Sequence, residues 1–239
     1  MEVVARRGRD GRIELPVVRA SGQLAVRRTG PASVHLVATA FGPLGGDEAR
    51  LRLVVEEGAV LTVATVAAAV ALPARDGERP SVQLVTATVA CSLIFAPEPT
   101  VVTAGAHHRT ELVAEVADGA ALTLTERVQL GRAGEEPGRW TGTTRVVRAG
   151  RPLLHTTTGL GPGAPAWLPP VAPRAYRSTV RLGPECDERA GGKPVPVATG
   201  VDAVRLPIDG GWSATAWGDR LHTVEQALDA VTTGAEQAA

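Results

Sequence analysis

Five histidines, two cysteines and acidic clusters at Glu56-Glu57, Glu135-Glu136 and Asp187-Glu188 are side chains of this 239-residue sequence with the chemistry to hold a metal or move a proton. His107 and His108 are adjacent, with Glu111 three positions on, and together they raise the possibility of a metal-dependent hydrolase or lyase on a β scaffold. Successive side chains of a strand point to opposite faces, so the two histidines share one metal only if a loop or bulge turns them together. His35, His155 and His222 stand alone. The pairs Glu56-Glu57 and Glu135-Glu136 fall in turn-like segments and read most simply as solvated charge. Asp187-Glu188 lies in a loop-rich stretch. Cys91 and Cys186 are 95 positions apart (186−91) and lack any CxxC or Cys/His spacing, which fits two reduced thiols or a single disulfide, with reduced thiols preferred.

The common catalytic signatures are missing: no GxxxxGK[ST], no GxGxxG opening a helix, no GxSxG and no HExxH. Gly42-Pro43-Leu44-Gly45-Gly46 runs into a strand instead of a helix, so it offers no phosphate a helix N-terminus. Twenty-five basic and 25 acidic residues give a net charge of zero, which removes the electrostatic footprint of a nucleic-acid or anionic-membrane binder. The N-terminus has no secretory h-region, and the longest weakly polar run is too short to span a bilayer, so a cytoplasmic location is expected.

The elements that must position these groups are strands. Arg50 to Val55, Val82 to Val89 and Ala121 to Val128 alternate polar and apolar residues with period two, as half-buried strands do. Only seven aromatic residues leave the core to Val, Leu, Ile and Ala. Val55-Glu56-Glu57-Gly58-Ala59-Val60-Leu61-Thr62-Val63 is echoed by Val116-Ala117-Asp118-Gly119-Ala120-Ala121-Leu122-Thr123-Leu124. Weaker copies turn near Ala90 and Gly150, so the turns at 58, 90, 119 and 150 are 32, 29 and 31 residues apart. A period of about thirty, each unit a strand, a tight turn and a strand, predicts an all-β protein of stacked antiparallel β-hairpins, forming two-layer or β-helix-like sheets. Leu221, Val224, Leu228 and Val231 predict a short C-terminal α-helix at about 219–232. Residues 1–239 are expected to form a single domain, with loop-rich connectors at about 159–173 and 183–197.

With these elements in place, four segments resemble one family. Phe41 to Asp47, the alternating strand after it and Glu57-Gly58-Ala59-Val60-Leu61-Thr62-Val63-Ala64-Thr65 are similar to the glycine-rich block of the urease accessory protein UreD (UreH) family. Phe95-Ala96-Pro97-Glu98-Pro99-Thr100 with Ala104-Gly105-Ala106, and Leu130-Gly131-Arg132 with Gly134-Glu135, resemble its later motifs in the same order. Val66, Val70 and Leu72 stand where the family carries Gln, Lys and Tyr, so the chain resembles a divergent, short member.

The resemblance implies a non-enzymatic scaffold that helps deliver nickel to apo-urease, with a UreF-like accessory protein, a UreG-like GTPase recruited through it, and apo-urease as partners. A homodimer within that complex is a further expectation. It implies transient nickel and no tightly bound cofactor, carried along an internal route lined by polar and acidic groups. By motif position Asp47, Thr65, Glu98 and Glu135 are the candidate route residues, and His107 and His108 the candidate metal ligands. Oxygen donors release a divalent ion more readily than a thiol cage does. Trp140 and Trp167 are candidate partner anchors. Against this stands a generic β-sheet protein-binding module, for which the scarcity of aromatic residues argues against a carbohydrate ligand.

Overall fold

The computed structural model describes residues 1–20, 22–75, 79–164, 172–186, 195–198 and 200–233. The chain opens with two hairpins, β1 (Glu2–Arg7) with β2 (Ile13–Arg19) and β3 (Leu24–Gly30) with β4 (Ser33–Ala38). Three rungs follow: β5 (Glu48–Val55), β6 (Val60–Thr65) and β7 (Ala69–Ala71); β8 (Ser81–Val89), β9 (Ser92–Phe95) and β10 (Thr100–Val102); and β11 (His107–Val116) with β12 (Ala121–Leu130). A hairpin of β13 (Arg139–Arg148) and β14 (Arg151–Leu160) comes next. The chain ends in β15 (Ala175–Leu182), β16 (Val195–Ala198), β17 (Val201–Ile208), β18 (Gly211–Gly218) and α1 (Leu221–Thr233).

The two-layer, β-helix-like stack expected from the repeat is what forms. Its pairing is mixed. Within a rung the two strands lie in opposite sheets, and each pairs parallel with its counterpart one repeat away. Thus β5, β8, β11 and β13 run parallel in a seven-stranded sheet, and β4, β6, β9 and β12 in an eleven-stranded one. Antiparallel hairpins are confined to the ends of the stack. Alternation has the same period for both kinds of pairing, so it does not distinguish them.

The repeated Val-x-acid-Gly-Ala segments are the corners. Ala59 N–H donates to Glu56 O at 3.1 Å and Ala120 N–H to Ala117 O at 3.2 Å, closing four-residue turns. Gly58 and Gly119 sit at φ 68° and 72°, the positive value that a type II turn needs at its third residue. Bonds between rungs continue around the bend, from Ala90 N–H to Val55 O and from Ala117 N–H to Val89 O, both 2.8 Å. The last turn of the series is instead a true hairpin, with Ala149 and Gly150 at φ 47° and 76°. Two positive φ values in a two-residue loop fit the right-handed twist of paired strands.

The helix forms where its 3.6-residue stripe predicts, and buries Val224, Ala227 and Leu228 against Ala203, Ala214, Ala216 and Trp212. Gln129 of β12 holds its start, accepting from Leu221 N–H and donating to Asp219 O. Ion pairs Arg127–Glu225 (3.2 Å) and Arg177–Asp229 (2.7 Å) bind its exposed flank. No helix among the described residues is long and apolar enough to cross a membrane.

Candidate functional site

Parallel register stacks equivalent residues into rows, and the rows change character along the rungs. Near the corners the inward rows are Val55/Val89/Val116 and Leu53/Ala87/Ala114/Val146 on one sheet, and Leu61/Leu93/Leu122/Leu182 on the other. All are buried. Two to three register steps away the rows read Ala49/Gln83/Thr110/Gly142 and Ser81/His108/Trp140, facing Glu126 and Ser178 of the opposite sheet. A cavity of about 110 Å³ opens there, lined among others by Thr65, Glu98, His108, Thr110, Glu126 and Arg127.

Glu126 is the unusual member. It is 6% exposed, and burial raises its pKa from the ordinary 4.5 to about 7, an effect opposed by a hydrogen bond from Thr110. Thr110 Oγ1 in turn accepts from Trp140 Nε1–H at 3.0 Å. The hydroxyl proton is therefore free to point at the carboxyl. Oε1 of Glu126 has no protein partner. Gly142 makes room for this arrangement: a Cβ there would lie 2.1 Å from Trp140 Cζ2 and 3.0 Å from Glu126 Oε2. Trp140 is fully buried and packs against Tyr176, ring centroids 5.0 Å apart and planes tilted by 41°; the Tyr176 hydroxyl pKa is raised by burial and by Glu126.

His108 faces the same space from the other sheet. Burial, and then the neighbouring His107, lower its pKa to about 4, so the ring is neutral near pH 7. Its Nδ1 is 2.9 Å from Ser81 Oγ, which also reaches the His107 carbonyl at 3.5 Å. With Ser81 donating to that carbonyl, its oxygen accepts from Nδ1–H, and Nε2 keeps the lone pair that binds a metal. Nε2 has no protein partner either. A carboxyl and an imidazole, each with a buried polar atom that has no protein partner, thus line one cavity.

The four candidate route residues fall in three places. Thr65 and Glu98 meet at the cavity: Glu98 N–H donates to Thr65 Oγ1 at 2.8 Å, with Thr65 half-buried and Glu98 exposed. Arg127 steadies the same loop through a 2.9 Å bond to Pro97 O. Asp47 Oδ2 accepts from Leu44 N–H (2.8 Å) and Gln23 Nε2 (2.9 Å), closing the Gly42–Gly46 turn. It lines a surface groove that shares Gln23, Leu24, Pro43 and Ala49 with the cavity. Glu135 lies elsewhere, in a turn where the Arg132 side chain and backbone amide bind it and lower its pKa to about 2.

His107 and His108 lie in a regular stretch of β11 without a bulge, so they face opposite sides and do not converge. Glu111 is exposed on the face away from His108, which leaves the suggested hydrolase set unassembled. Among the described residues no three His, Cys, Asp or Glu side chains gather around a common point. Trp140 cannot be the exposed anchor that the sequence suggested, because it fills the core. Trp167 and the Asp187-Glu188 pair lie outside the described residues. Sequence reasoning overlooked Glu126, although a signal was present: in Leu122, Leu124, Glu126, Val128 and Leu130 it takes an inward slot of an otherwise apolar alternation.

A family profile described as UreD urease accessory protein matches residues 3–235. The chain is 42% identical over 133 residues to urease accessory protein UreD 1 of Saccharopolyspora erythraea, spanning 55% of this chain and about half (52%) of that relative. It is 38% identical over 187 residues to urease accessory protein UreD of Streptomyces coelicolor, covering 75% of this chain and 73% of the relative. With urease accessory protein UreD of a Parafrankia species it shares 36% identity over 251 aligned positions, covering 92% and 83%.

Proposed function

The chain belongs to the UreD urease accessory protein family, a non-catalytic family of urease maturation, and from that premise we propose that nickel passes through its interior on the way to apo-urease. The observation that carries this reading is the pair of buried polar atoms without a protein partner, Glu126 Oε1 and His108 Nε2, on residues that line one cavity between the sheets. Carboxylate, hydroxyl and neutral imidazole donors suit Ni²⁺ and hold it less firmly than thiolates. At about 30 Å³ per water, the cavity has room for an ion with roughly three waters.

The ion enters from the groove at Asp47 and Gln23, meets His108 and Glu126, and leaves past Thr65 and Glu98, or takes the reverse course. With the cavity empty, burial disfavours the charge of Glu126 and raises its pKa to about 7, so it is partly protonated near neutral pH. A dication beside it offsets that cost and displaces the proton. Nickel is cargo in this scheme and not a resident cofactor. The partners are a UreF-like accessory protein, a UreG-like GTPase reached through it, and apo-urease, all in the cytoplasm.

The test is complementation of a urease-positive host that lacks its own UreD, scored by urease activity, nickel content of urease and co-purification of the complex. The protein should co-purify with the UreF-like protein and apo-urease, and its absence from that complex would end the scaffold reading. Glu126→Gln and His108→Ala should lower nickel content at least several-fold while co-purification persists. Full nickel loading by both variants would remove the interior route.

A further inference from the structure

Among the described residues, and apart from the short β10–β7 branch, the two sheets end on four strands, and these margins are not alike. At β2 the strand carries Pro16 in its middle, and β16 contains Pro196. At β3 the margin carries Arg27 and Arg28, and the Arg28 guanidinium is bonded to the Gly30 and Pro31 carbonyls. Proline and charge on an edge are the usual defences against pairing with another chain. The fourth margin, β14, has Pro152 and a bulge at its start and nothing of the kind afterwards. From Leu154 to Leu160 it contains no proline and no Asp, Glu, Lys or Arg. Its inner side pairs with β13 residue by residue, and among the described residues no strand pairs with its outer side. His155, Thr156 and Thr157 are exposed.

We propose that β14 is a self-association edge, along which two copies of this chain pair antiparallel about a two-fold axis at Thr156 and join their seven-stranded sheets. The occupant is a second copy because the strand complements itself in that register. Thr156 meets the second copy's Thr156, His155 meets its Thr157, and Leu154 meets its Thr158. Threonine pairs across antiparallel strands are favourable, and this hairpin already uses one, Thr143 to Thr157 at 3.1 Å. The strand's one charged residue, Arg151, falls opposite the second copy's Gly161, so no like charges face each other. Because the contact is a two-strand seam, it buries less than the roughly 1,200 Å² typical of stable complexes, and the dimer exchanges with monomer.

Sedimentation of the full chain across micromolar to submillimolar concentration tests this. Wild type should shift from monomer toward dimer. Thr156→Lys and Thr156→Glu should each remain monomeric, since each sets like charges face to face across the axis, and their equimolar mixture should recover the dimer. As a readout that needs no variant, hydrogen exchange of the wild-type 154–160 amides should slow as concentration rises. A wild type that stays monomeric, a dimer untouched by either charge, or amides unprotected at dimer concentrations overturns the proposal. So does a monomer whose UreF-like or urease partner is lost on Thr156→Lys, which would give the edge to a strand of another protein. None of these readouts involves nickel, so their failure is separate from failure of the interior route.

Discussion

The corner half and the open half of the interior are built on one hydrogen-bond ladder and filled in opposite ways. Near the corners Leu53, Ala87, Ala114 and Val146 stack against Leu61, Leu93, Leu122 and Leu182. Further along the same strands stand Ser81, His108, Thr110 and Glu126. Backbone pairing is indifferent to this change, because the ladder bonds run between main chains. Burying one leucine contributes about 2 kcal/mol. Leaving a buried carboxyl oxygen without a partner costs a similar amount or more. The difference teaches that the apolar half supplies the stability on which the polar half draws, so the halves should respond differently to perturbation.

The largest expected effect breaks the polar half by filling it. Gly142→Ala puts a methyl into Trp140, which is held on all sides and cannot move away cheaply. Overpacking of this kind costs about 3 kcal/mol, or roughly 6–12 °C in a domain of this size. An unchanged thermal midpoint would mean that the tryptophan is less confined than its surroundings imply.

The next effect sharpens the comparison through pH. Glu126 keeps its proton to about pH 7 in the fold against an ordinary 4.5. The stability it contributes is therefore full below 4.5 and is lost as pH rises through 7. His108 titrates near 4 in the fold against an ordinary 6.5, so its contribution is full above 6.5 and is lost as pH falls through 4. Each amounts to about 3 kcal/mol, and the slopes oppose each other between pH 4.5 and 6.5. Glu126→Gln should unmask stability that rises with pH across that window, and His108→Gln stability that falls. Denaturant midpoints for the variants that run parallel to wild type would refute the assignment.

The smallest effect belongs to the corners. Gly119 sits at φ 72° with open space where a Cβ would stand, so Gly119→Ala meets only the left-handed backbone penalty, about 1 kcal/mol. A loss as large as that of Gly142→Ala would show that the corner is packed, contrary to its surroundings.

Local features were legible in the sequence and long-range ones were not. The corner turns could be read because a glycine with positive φ leaves its mark within four residues, and α1 because its stripe is internal to itself. Glu135 was recognisable as a turn residue for the same reason. Which strands neighbour one another is decided by residues about thirty positions apart, and alternation does not record whether they run parallel. The candidate site suffered from that gap. His108 was noticed only as half of a pair, and Glu126 was passed over because its significance depends on Thr110 and Gly142, which reach it from the opposite sheet.

The clamp at Gln129 has a consequence for the order in which the chain takes shape during synthesis. Each rung finds its partner about thirty residues earlier, as Val89 does with Val55 and Val116 with Val89, so rungs can be laid down as the polypeptide emerges. Gln129 must wait for Asp219 and Leu221, some ninety residues further on. β15 covers the far edge of β12 earlier, but until residues 219–233 follow, the Gln129 side chain lacks these partners and the alanine face of β17 and β18 stays uncovered. Among the described elements, the helix that follows all the strands is the one that covers this face.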